Sequence, residues 1–97
     1  MKGTRNMYKV IYMKADYEPW WQFDGWEEHI VREREFANKF EAERFLKQAL
    51  ATMSEQYPHQ EHRKERFWAF WTEEEIAFCE SCDDDIQTYH GIIWQKS

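Results

Sequence analysis

Only one stretch of this chain has helical periodicity, and it restricts the possible folds more than any other feature. Ala42, Phe45, Leu46, Ala49, Leu50, Met53 and Tyr57 recur at spacings of three and four, which gathers them on one apolar face. Asn38 precedes this run with Glu41 three residues later, resembling a capping box. Pro58 closes it by lacking a backbone donor. Glu43 and Lys47 are spaced for an ion pair on the other side of the helix. A lone amphipathic helix must bury its stripe against something, and the remaining apolar residues alternate like strands.

Those strands can be placed in turn. In Met7–Lys14, Tyr8, Val10 and Tyr12 fall on one side, with Met7, Lys9, Ile11 and Met13 on the other. Apolar residues on both sides predict a strand inside a sheet. His29–Phe36 begins with β-branched residues and continues with charges of alternating sign, which fits an exposed edge strand; a short helix is the competing reading. His59–Arg66 reads as a polar connection. Phe67–Thr72 reads as a strand buried on both faces, Glu75–Glu80 as a returning strand, Asp83-Asp84-Asp85 as a turn, and Ile86–Trp94 as the last strand. The order β-β-α-β-β-β predicts an α+β domain: one mostly antiparallel sheet of about five strands with one main helix packed on one face. Residues 1–6 read as a disordered or tag-like N-terminus, and 7–97 as a single domain.

Aromatic residues supply the bulk for so short a core. The 97 residues include 6 Trp, 5 Tyr and 7 Phe, and each aromatic can bury roughly 150–250 Å². A net charge of −6 favours solubility and disfavours non-specific attachment to phosphate backbones or anionic membranes. No apolar run approaches a bilayer span, and the opening residues do not read as a secretory signal. Two close cysteines without a wider framework point to a reducing cytoplasm.

Each candidate site has a plainer alternative. Cys79-Glu80-Ser81-Cys82 lacks the cations or helix N-terminus that would stabilise a thiolate, and its acidic neighbours would raise the thiol pKa. A Cys2His2 zinc set of Cys79, Cys82, His59 and His62 can be drawn, with His90 as a substitute ligand. The usual finger spacings are absent, so no metal or other cofactor is favoured, and the plainer reading is a reduced cysteine pair under the last hairpin. Three consecutive aspartates cannot easily face one calcium ion. Asp16, Glu18, Asp24 and His29 crowd the aromatic segment, but no nucleophile–base arrangement or phosphate loop accompanies them. Catalysis is therefore not expected.

The segment Glu18-Pro19-Trp20-Trp21-Gln22-Phe23-Asp24-Gly25-Trp26 is the leading binding candidate. Indoles combine contact area with a hydrogen-bond donor and are enriched among interface anchors. Trp20, Trp21, Phe23, Asp24 and Trp26 are the expected contact residues for a protein partner. A lid folded back over the sheet is the competing reading. Nucleic-acid contact is the alternative function, through Arg32, Arg34, Lys39, Arg44 and Lys47 or through His62-Arg63-Lys64-Glu65-Arg66, although the negative total disfavours it. The chain is expected to be a monomer or homodimer.

Five runs together resemble a known family: Met7-Tyr8-Lys9-Val10-Ile11; Glu18-Pro19-Trp20-Trp21-Gln22-Phe23-Asp24-Gly25-Trp26-Glu27-Glu28; and, towards the end, Ala69-Phe70-Trp71, Phe78-Cys79-Glu80-Ser81-Cys82-Asp83-Asp84-Asp85 and Gln87-Thr88-Tyr89-His90-Gly91. They look like a small bacterial family known as domain of unknown function 1033, over nearly all of residues 7 to 94. The resemblance implies a cytoplasmic protein of Gram-positive-type bacteria with no assigned activity. It transfers no catalytic residue.

Overall fold

The helix forms where its cap and periodicity place it. In a computed structural model that describes residues 7–96, α1 spans Lys39–Gln56. The Asn38 side-chain oxygen accepts the Glu41 amide at 3.1 Å, satisfying one of the donors a helix start leaves free. The helix ends at Tyr57, whose backbone turns extended (φ −119°, ψ 131°) while its N–H still donates to the Met53 carbonyl. Residues 1–6, expected to be a disordered or tag-like lead, lie outside the described residues.

The strands are β1 (Tyr8–Ala15), β2 (Ile30–Phe36), β3 (His59–Arg63), β4 (Phe67–Trp71), β5 (Ile76–Cys79), β6 (Asp84–Gln87) and β7 (Tyr89–Lys96). Five of them form one antiparallel sheet in the order β2-β1-β7-β4-β3. β5 and β6 pair separately as a hairpin. The domain is thus α+β, with one helix on one face of a five-stranded sheet. β1 lies inside the sheet and β2 at its edge, as the alternation of apolar and charged residues indicates.

Three local expectations are corrected. Residues 59–63 form an edge strand rather than a connection, paired along β4. His59 and His62 lie stacked on Trp71 and Trp68, with ring centroids 5.6 and 6.2 Å apart, so their imidazoles cover indoles. The last strand is interrupted at Thr88, which separates β6 from β7. The acidic turn falls at 80–83, where Asp83 adopts a positive φ of 55°, and Asp84 already belongs to β6.

Strand parity sorts the core onto two sides of the sheet. Val10, Phe70 and Ile92 face the helix, with Met53 packed on them and Phe45, Leu46, Ala49 and Leu50 half-buried around. Ile11, Met13, Ala15, Phe67 and Ile93 form the core on the other side, where Tyr17, Trp20, Trp26 and Ile30 pack instead of a helix. The aromatic segment is therefore the second layer over the sheet.

Candidate functional site

Two surfaces combine chemistry with access, one on each side of the sheet. The first is the aromatic segment between β1 and β2. Its anchor is Pro19, which is fully buried and fills the space beside Gly91 that any side chain there would occupy. Trp20 follows, half-buried against the core, with the Arg63 guanidinium 4.4 Å from its ring centroid, a cation–π contact. The Trp20 indole N–H is buried without a hydrogen-bond partner among the described residues. Gly25, in the left-handed region at φ 83°, turns the chain into a short 3-10 turn, Trp26–His29. There Trp26 also packs on the core.

Trp21 and Phe23 point the other way. They are 53% and 52% exposed, and their rings stack 5.8 Å apart with an interplanar angle of 2°. Tyr17 meets Phe23 edge-on at 4.9 Å, and the Trp21 indole N–H donates to Glu18 Oε1 at 3.3 Å. A Trp21 N–H···Glu18 carbonyl turn keeps the indole facing outward. The segment is thus divided: Pro19, Trp20 and Trp26 pack over the sheet, while Trp21, Phe23 and Asp24 are exposed. From Asp16 to Glu28 the segment carries Asp16, Glu18, Asp24, Glu27 and Glu28 and no Lys or Arg.

The drawn zinc set is not assembled. His59 and His62 lie three residues apart on β3, so they project to opposite faces of the sheet. His59 is engaged with Glu73. Cys79 and Cys82 are joined in a disulfide that closes the β5–β6 hairpin, not a reduced pair. Among the described residues no group of three or more His, Cys, Asp and Glu side chains converges as metal ligands would.

The second surface lies under α1. His90, 3% exposed, holds two partners: the Tyr12 hydroxyl at 2.7 Å from Nδ1 and Glu75 Oε1 at 2.7 Å from Nε2. With Nε2–H donating to the carboxylate, Nδ1 accepts the phenol proton. The Tyr57 ring closes over the imidazole at 4.4 Å. Burial pushes the Tyr12 phenol pKa up, and the nearby Tyr57 and Glu75 push it further. The hydroxyl therefore stays protonated at neutral pH and orients a hydrogen bond instead of supplying a nucleophile. Tyr12 also lines a cavity of about 320 Å³ between α1 and the β2 edge. Val10, Ile92 and Met53 line it from the sheet and helix, with Phe45 and Ala49 alongside, and Arg32 and Arg34 border it from β2.

The sequence pattern of the family described as "Protein of unknown function (DUF1033)" matches residues 7–97. The chain belongs to the DUF1033 family. No curated protein and no solved structure matches this DUF1033 chain at a significant level. The Tyr12–His90–Glu75 chain and the arginine-bordered cavity are features of this chain that the sequence pattern did not reveal. Tyr12 and His90 lie 78 residues apart, and only the pairing of β1 with β7 brings them together. A signal did exist for the arginines, because parity places Arg32 and Arg34 together on one side of an edge strand.

Proposed function

We propose that this DUF1033 chain is a non-enzymatic interaction module that grips a basic segment of a protein partner through Trp21 and Phe23. The observation that carries this is the stacked, half-exposed ring pair held outward by a loop whose other aromatics are spent on the core. Large apolar rings gain most when removed from water, and such pairs are typical interface anchors. Acidic residues surround the pair, so charge complementarity selects Lys or Arg side chains, and guanidinium groups also stack on indole. The same acidity opposes nucleic-acid phosphates. A binding role is favoured over catalysis because the hydroxyl–imidazole–carboxylate chain seen among the described residues ends in a phenol whose proton is held more tightly than usual.

A cytoplasmic setting is the accompanying proposal; it rests on the family resemblance, and because reducing compartments keep thiols reduced it requires the Cys79–Cys82 bond to be open there. Among the described residues no helix is long and apolar enough to cross a membrane.

Calorimetric titration with a short peptide alternating Arg and Leu, against its Glu–Leu counterpart, tests the binding. Wild type should bind the basic peptide alone, and Trp21→Ala should weaken it by about tenfold or more, as loss of an anchor does. The melting temperature of Trp21→Ala should stay close to wild type, because exposed substitutions shift stability by roughly 0.5 kcal/mol or less. Equal binding of both peptides, or unfolding by Trp21→Ala, would overturn the proposal.

A further inference from the structure

The cavity between α1 and β2 lies on the face of the sheet opposite the aromatic loop, and the interaction proposed above leaves it unused. Its charge is unusual for so acidic a chain. Alternation along β2 sends Arg32 and Arg34 to the helix side, opposite Tyr12 and Val10, and sends Glu33 and Glu35 to the other side. Glu33 there pairs with Lys9 at 3.8 Å. Among the described residues neither Arg32 nor Arg34 has an ion-pair partner. Arg34 is steadied instead by aromatic rings, its guanidinium 5.4 Å from the Phe36 centroid and 5.0 Å from that of Phe45. Two guanidinium groups without carboxylates therefore border a recess whose interior is Val10, Ile92 and Met53.

That juxtaposition defines a ligand class. A planar guanidinium matches a carboxylate with two parallel hydrogen bonds, and the recess behind it favours hydrocarbon. At about 320 Å³ the cavity is at the small end of the roughly 300–1,000 Å³ typical of ligand pockets, too small for a two-chain lipid. We propose that this groove binds a medium-chain aliphatic monocarboxylate, its head on Arg32 and Arg34 and its chain against Val10, Ile92 and Met53. Tyr12, its proton held by His90, presents a fixed oxygen beside the chain and limits how deep the ligand sits.

Calorimetric titration of the full chain with decanoate below its micellar concentration tests this, with decylammonium as the same tail carrying the opposite charge. Decanoate should bind, and decylammonium should bind at least about tenfold more weakly. The double variant Arg32→Gln, Arg34→Gln should weaken decanoate by about tenfold or more while remaining folded with only a small drop in melting temperature, since both side chains are exposed and only Arg34 gives up ring contacts. Ala49→Phe, which narrows the groove, should weaken it as well, and Trp21→Ala should not, which separates this site from the aromatic loop. No decanoate binding, equal binding of the two amphiphiles, or full affinity in the double arginine variant would overturn the assignment.

Discussion

Gly91 shows how one missing side chain seats a whole loop. A Cβ at this position would lie 2.7 Å from Pro19 Cβ and 3.0 Å from Met13 Cγ, so the requirement is space and not backbone conformation. Pro19 fills that space, and Trp20 and Trp26 follow it onto the core. Gly91→Ala should therefore push Pro19 outward and destabilise the fold by about 1–3 kcal/mol, the usual range for overpacking. Urea denaturation measures this, and the indole emission of the folded variant should shift to longer wavelength as Trp20 gains water. Unaltered stability with unaltered emission would mean that the loop is seated by other contacts. Sequence alternation marks Gly91 only as a strand residue, because its role depends on a proline distant in the chain.

At the scale of elements, what was legible in the sequence was whatever local chemistry decides. The Asn38 cap, the helical stripe and Pro58 lie within one continuous stretch, and α1 follows them closely. β1 and β2 were legible from alternation and from charge at an edge. β3 was not, because its polar residues are stabilised by stacking on Trp68 and Trp71 across the sheet, a contact no local pattern encodes. The division of the aromatic loop was hidden for a similar reason, since Trp20 and Trp21 are neighbours of identical type and only the turn through Glu18 separates their directions. The β5–β6 hairpin is the least integrated element. It forms its own two-stranded sheet, held to the rest partly by the Gln87 amide on the Thr72 carbonyl at 2.8 Å. Reducing the Cys79–Cys82 disulfide should therefore speed amide exchange across residues 76–87 while leaving protection in β1 and β7 intact, as expected of a separately opening unit. Hydrogen-exchange mass spectrometry distinguishes this from a collapse of the whole fold, which would show loss of protection in every strand.

The whole molecule depends on a sheet covered on both sides, and tyrosines sit in both coverings. Tyr12 and Tyr57 lie on the helix side, and Tyr17 belongs to the aromatic loop. Burial raises the phenol pKa of each, as it does for Tyr89, and nearby carboxylates add to the shift. The folded chain thus holds these protons more tightly than the unfolded chain does. Their contribution is complete below the ordinary phenol value near about 10 and declines as pH rises through the raised values. Urea unfolding between about pH 8 and pH 11 should show stability falling at the alkaline end. Tyr12→Phe removes one of these groups and should show a shallower decline from a lower starting stability, because His90 Nδ1 loses its donor. A flat profile in wild type would contradict the sign.

The arrangement of β2 also limits how this chain can change. Adding or deleting one residue there would exchange the two rows of side chains, turning acidic groups towards the helix and cationic ones towards the indoles. The groove under the helix would exchange its guanidinium rim for carboxylates, although nearly every amino acid of the protein had been retained. Length at this border is therefore less free to vary than residue identity.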